Sequence, residues 1–212
     1  EKQKQDFGFF ITHGHYDHIG AIPYIVSKLG NPPVYTAPLT RAIIMKRQDD
    51  FPNRARLNIE AIDLNKLEAI NIGHFKVHPF RVNHNIPDSL GFGVETDQGM
   101  IFYVPDFKFD FSPIIDPSAD LGRISKLASK GTLLLMADST GAEEAGHSIS
   151  ERAIYEELES IFEKATGRII AATFASLISR IQQIIWLSEK FGRRVVIDGY
   201  SMKSNVEIAR NL

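Results

Sequence analysis

Six consecutive positions constrain this chain more than any other feature. His13-Gly14-His15-Tyr16-Asp17-His18 gathers three histidines and an aspartate behind an apolar stretch (Phe9, Phe10, Ile11) and ahead of another with helical spacing (Ile22, Ile25, Leu29). The pattern predicts a strand that delivers the cluster and a helix that leaves it. Alternate residues of extended backbone share a face, so His13 and His15 point the same way and can grip one ion. Asp17 and His18 lie where the chain turns and can face a second ion. Imidazole and carboxylate donors suit zinc, with manganese or iron as alternatives. A His-rich surface turn is the competing reading, and it gives no reason for four ligand-type residues at an element junction.

Composition narrows the chemistry. The 212 residues contain no cysteine, so any metal is held by His, Asp or Glu and no disulfide framework exists. A hydrophobic fraction of 43% gives a globular core. No apolar run approaches the ~20 residues of a membrane span, and the first ten residues lack a signal-peptide core. These features lead us to expect a soluble, cytoplasmic protein without a membrane partner. The net charge of −2 means that a nucleic-acid partner needs a local basic path.

Further ligands must come from elsewhere. His84 follows a strand-like run, while Asp106 and Asp138 each end an apolar one. Residues just past strand ends are placed to serve a site. Taken singly, each also reads as an ordinary loop or turn residue.

Strand-like runs at 7–12, 34–37, 67–72, 75–82, 92–96, 100–104 and 132–137 alternate with helix-like segments at 19–29, 39–48 and 120–129. His74, Lys76 and His78 fall on one face of a strand, expected to be exposed. From residue 148 the pattern becomes regular. Ser148 and Glu151 read as a capping box, followed by a helix, a strand over 168–174, a helix from about 177, and a strand over 194–198. Strand–helix–strand order implies parallel pairing, and the change of pattern places a domain boundary at 147/148.

The segment His13–His18 resembles the HxHxDH motif of the metallo-β-lactamase superfamily. The wider text is similar to the ribonuclease J family of bacterial β-CASP nucleases, through FRVNHNIPDSLGF (80–92), DFKFD (106–110), ADST (137–140) and FASLISRIQQII (174–185). The resemblance implies an α/β architecture: a partial αββα sandwich over 1–147, truncated at its N-terminus, then the start of a β-CASP domain over 148–212 with parallel strands. It implies two divalent ions, zinc or else manganese. His13, His15 and His84 would hold one, Asp17 and His18 the other, with Asp106 bridging. Asp17 and Asp138 would be catalytic, Asp138 as proton donor, and Ser176 would touch RNA. Glu151 would match the acid that opens the β-CASP insertion, although the capping-box reading competes and is preferred.

The implied activity is hydrolysis of RNA phosphodiesters by hydroxide activated between two metals. It comprises 5′–3′ exonuclease and endonuclease action in mRNA decay and rRNA maturation. The implied substrate is single-stranded RNA with a 5′-monophosphate, and the parent protein would be a homo-oligomer. The sequence departs from the family where Pro105 replaces a usual Gly, and where Leu177 and Ser179 replace Asn and His. The family's later histidine motifs do not appear, so the chain looks like an internal fragment. Three other readings remain: a small-molecule hydrolase, a redox protein (disfavoured by His15 where those carry Glu), and a noncatalytic RNA-binding scaffold.

Overall fold

The computed structural model describes residues 7–53 and 56–212. The N-terminal apolar runs form a parallel sheet in the order β1 (Phe9–Phe10), β2 (Val34–Thr36), β3 (Ile59–Ala61). Sequence periodicity missed β3, whose three residues are too few to establish an alternation. The single helix expected over 19–29 is broken into α1 (Tyr16–Ile19), α2 (Ile22–Ile25) and a 3-10 turn at Ser27–Leu29. Pro23 explains the break, because proline is accommodated only in the first turn of a helix, and α2 restarts with it there. A longer helix, α3 (Pro38–Gln48), follows β2.

The second sheet runs β4 (Ile70–Ile72), β5 (Phe75–Arg81), β6 (Leu90–Thr96), β7 (Gly99–Val104), β8 (Thr132–Ala137). The first three pairings are antiparallel, and β8 joins β7 in parallel after the crossover helix α4 (Leu121–Ala128). Three apolar clusters define the layers. Ile19, Ile22, Val26 and Ile44 pack helices onto the outer face of the first sheet. Leu67, Val77, Leu90 and Phe92 meet Phe10 and Tyr35 between the sheets. Phe80, Val82, Met100 and Phe102 bury the other face of the second sheet against Leu127 and Ile124 of α4. The order is helix, sheet, sheet, helix: the αββα sandwich.

His78 corrects the expectation of an exposed strand face. It shares the face of Phe80 and Val82 beneath α4, is buried, and lies 2.7 Å from Glu95 Oε2. His74 is exposed in the preceding turn.

Beyond residue 148 come α5 (Glu151–Lys164), α6 (Ile178–Lys190) and α7 (Tyr200–Arg210). The strands expected over 168–174 and 194–198 are not formed, because no hydrogen-bonded ladder pairs either segment. Nor is the first segment buried as its apolar run predicts: Ile170 is 90% and Phe174 77% exposed, although Ile169, Ala171 and Thr173 line a cavity of about 400 Å³ beside Ile181 and Ile185 of α6. An apolar run marks a candidate strand, whereas a strand also needs a partner. The N-cap of α5 is Ser150, whose Oγ accepts from the Ala153 amide at 3.2 Å, so the capping box from Ser148 is also corrected. The helices join the sandwich where Ile178 and Ile208 meet Leu39, Ile43 and Ile86.

Candidate metal centre

The His13–His18 turn leaves β1. His84 follows β5, Asp106 follows β7 and Asp138 follows β8. Strands β5, β7 and β8 share one direction, so their C-terminal ends meet at a single edge of the second sheet. The Leu90 amide donates to the Thr12 carbonyl at 2.9 Å and ties the end of the first sheet to that edge. Gly14 lets α3 approach closely, since a Cβ there would lie 2.7 Å from Ile43 Cδ1 and that side chain would have to move.

Two groups of donors result. One ligand atom from each of His13, His15, His84 and Asp106 lies within 4.8 Å of the others, and Asp17, His18 and Asp106 form a second such group. His84 Nε2 is 3.2 Å from His15 Nδ1 and 3.6 Å from Asp106 Oδ2, and His13 Nε2 is 3.9 Å from that same oxygen. His18 Nε2 is 3.6 Å from Asp106 Oδ1 and 3.4 Å from Asp17 Oδ2. Donors about 2.0–2.1 Å from a tetrahedral ion stand about 3.4 Å apart, and these separations bracket that value. Asp106 turns one oxygen to each group.

Burial explains the protonation states. Desolvation, reinforced by His18, His84 and His15, lowers the His13 pKa to about 2. Burial chiefly lowers His84 to about 4, with His15 adding to the effect, and also lowers His15 against the pull of Asp17 and Asp106. All three are neutral at pH 7, the form that ligates metal. The buried Nε2 atom of His13, the one that faces Asp106, has no hydrogen-bond partner. A buried polar atom without a partner is unfavourable, and a cation in this group relieves it. The donor set therefore fits divalent metal.

Neighbouring groups orient these ligands. Thr12 Oγ1 lies 3.1 Å from His13 Nδ1. Asn83 is buried, donating from Nδ2 to the Pro117 carbonyl and accepting the Ala119 amide, while the Lys108 amide donates to its carbonyl. That clamp holds His84 beside Asp106. The sequence reading omitted Thr12 and Asn83, and their one signal is adjacency to a ligand histidine.

The remaining candidates, and His147, a further histidine of the sequence, lie apart from these two groups. Asp138 is exposed, and its Oδ1 accepts from the Thr140 amide and hydroxyl at 2.9 and 2.8 Å. Those bonds, with His84 nearby, hold its carboxyl below the usual range. At neutral pH it is a carboxylate, so a proton-donor role requires that it first take up a proton. His147 lines the cleft beside Asp138 and enters neither group. Ser176 lines a groove that begins at Gly14 and Tyr16. Glu151 does not cap: it is half-buried, with Oε1 2.7 Å from Lys108 Nζ and Oε2 accepting from Arg180 at 3.2 Å and Gln183 at 2.8 Å. Its own amide donates to Asp110 Oδ2. This network joins the Asp106–Asp110 loop to α5 and α6.

Comparison with known proteins gives the class. Residues 8–149 match the family model described as the beta-lactamase superfamily domain, and residues 166–212 match the one described as the ribonuclease J beta-CASP domain. The chain belongs to the metallo-β-lactamase superfamily. Within it, the chain is 36% identical to the ribonuclease J of Mycoplasma genitalium over 212 residues, all of this chain and 37% of that protein. It is 38% identical to the ribonuclease J of Thermus thermophilus over 208 residues, 95% of this chain and 36% of that protein. The chain thus spans a little over a third of the length of these curated relatives, and the ribonuclease J resemblance read from the motifs is borne out. A solved structure from Enterococcus faecalis V583, described as a protein of unknown function, has a TM-score of 0.59 at 20% identity. It covers 92% of this chain and 52% of that one, and it supports the fold alone.

Proposed function

We propose that this chain is the metal-binding portion of a ribonuclease, with a metallo-β-lactamase domain over 1–147 and the beginning of a β-CASP domain over 148–212. The observation that carries the reading is Asp106, which presents one oxygen to each of two His/Asp groups at one sheet edge. Two divalent ions, zinc in preference to manganese, would lower the pKa of water and neutralise charge on a phosphodiester. His13, His15, His84 and Asp106 would hold one, and Asp17, His18 and Asp106 the other.

The chain's own residues do the rest. Thr12 and Asn83 fix the ligand geometry, and buried neutral imidazoles keep protons from competing for the donors. Asp138, ionised at rest, takes the proton of the attacking water and returns it to the departing 3′-oxygen, acting as base and then acid. Ser176 contacts the RNA backbone. The substrate is single-stranded RNA with a 5′-monophosphate, cut both from the 5′ end and internally. The setting is mRNA decay and rRNA maturation in the cytoplasm, and the whole protein is a homo-oligomer.

The test compares 5′-monophosphate RNA, 5′-triphosphate RNA and DNA oligonucleotides, with Zn²⁺ or Mn²⁺ supplied to the full-length parent. Faster loss of the 5′-monophosphate RNA, abolished by His13→Ala, is expected. Equal cleavage of DNA, or no cleavage of any substrate, overturns the reading.

A further inference from the structure

Asp106 is the ligand that both donor groups share, yet its own contacts do not fix its aim. Its carboxylate is 38% exposed and stands 3.6–3.9 Å from the histidines it meets, beyond hydrogen-bond reach. A carboxylate without hydrogen bonds rotates with little resistance, so the position of its backbone decides where the two oxygens can go.

That backbone is held through the next residues of its loop. The Lys108 amide donates to the Asn83 carbonyl at 2.8 Å, an antiparallel bridge that sets the loop against the residue before His84. The Lys108 side chain runs to α5. Its Nζ donates to Glu151 Oε1 at 2.7 Å and to the Ile149 carbonyl at 3.3 Å, and lies 3.4 Å from Asp110 Oδ2. Asp110, whose side chain is fully buried, accepts the Ser112 amide on Oδ1 at 3.0 Å and the Glu151 amide on Oδ2 at 2.8 Å. It thereby satisfies the first amide of α5 from 41 residues away in the chain. Burial alone would raise the Glu151 carboxyl, but hydrogen bonds from Lys108 and Gln183 outweigh it and hold it below the usual range. The Lys108 contact is therefore charge-assisted. The space left among His84, Lys108, Asp110, Glu151 and Gln183 is about 20 Å³, room for about one water. A joint this tight passes a displacement on instead of absorbing it.

We propose that Lys108 is a positioning residue for the metal centre: with Asp110 it straps Asp106 to the start of α5, so that metal binding and the docking of α5 on the sandwich favour one another. The proposal rests on the reading of the donor groups as a metal centre and is independent of the substrate. Coupling of this kind is reciprocal. Loss of the strap weakens metal binding, and metal tightens the strap.

Competition with a chromophoric chelator gives zinc affinities for the 212-residue chain and its variants. Lys108→Met is expected to weaken zinc binding about ten- to a hundredfold, the range for residues that orient a metal's ligands, and Lys108→Arg to restore most of it. Ser150→Ala loosens the same helix end without touching the strap, and it should leave the affinity unchanged. Hydrogen exchange supplies the reverse reading. Zinc should slow exchange of the amides at 150–155 in wild type by more than it slows those of α4, on the other face of the second sheet. Lys108→Met should erase that difference. If Lys108→Met fails to fold, as read by circular dichroism, the exchange comparison on wild type carries the test. Equal zinc affinity in wild type and Lys108→Met overturns the proposal, as does zinc protection no greater at α5 than at α4. Weakening shared equally by Ser150→Ala makes Lys108 an ordinary stabilising contact and also overturns it. The two readings fail separately. Absence of zinc binding by wild type sinks the metal centre and the proposal with it, whereas tight zinc binding indifferent to Lys108 sinks the proposal alone.

Discussion

The buried histidines have a consequence for pH that follows from sign alone. His13, His15 and His84 are held below their ordinary value in the fold, so below about pH 6.5 the unfolded chain binds protons that the native state refuses. Their effect on the chelated protein is nil above that pH, and stability falls on acidification toward about 4, where His84 titrates. Each contributes a slope of up to about 1.4 kcal/mol per pH unit within its window. Asp116 opposes them. Burial beside Asp88 raises it to about 6, so the native state binds the extra proton and the fold gains stability as pH falls through 6. Urea denaturation of chelated protein at pH 7, 6, 5 and 4 should show a net fall. Asp116→Asn should steepen it, and a profile flat between 6.5 and 4 contradicts these burial assignments. The motif named the ligands but not their state, because desolvation depends on what packs over a residue.

At the scale of elements, α5 separates two readings of one acid. Ser150→Ala removes a cap and should cost about 1 kcal/mol. Glu151→Ala removes the shared partner of Lys108, Arg180 and Gln183, leaves Lys108 with Asp110 as its one carboxylate partner, and should cost about 2–3 kcal/mol through the lost hydrogen bonds to a charged group. Denaturant midpoints of the two variants decide it: equal losses would make Glu151 a helix-end residue after all. In the second sheet, Gly91 faces the buried Phe80 ring, and a Cβ there would come within 2.3 Å of it. Gly91→Ala should therefore destabilise by about 1–3 kcal/mol through overpacking, and an unchanged thermal midpoint would contradict the packing of β5 on β6. Most elements were legible because their apolar periods match their burial. The exceptions are instructive: β3 is too short to carry a period, and the apolar run over 168–174 has no partner strand and is mostly exposed.

Across the whole molecule, the layered sandwich exists to bring strand ends together, and that convergence was only half visible in the sequence. His13, His15, Asp17 and His18 announce themselves by proximity in the chain. His84 and Asp106 lie 66 and 88 residues beyond His18; their places past strand ends made them candidates, and only the family resemblance chose them over an ordinary loop reading. No helix among the described residues is long and apolar enough to cross a membrane. The central claim is that the two donor groups hold metal and share Asp106. Calorimetric zinc titration of the chelated chain, alongside His13→Ala and Asp106→Ala, tests it most directly. The four-donor group is the more buried and should give a tight site near one equivalent, with weaker binding at the group containing exposed Asp17. His13→Ala should abolish the tight site and leave the weak one, and Asp106→Ala should weaken both. Absence of tight binding in the wild type, or a titration that neither substitution alters, would contradict the account.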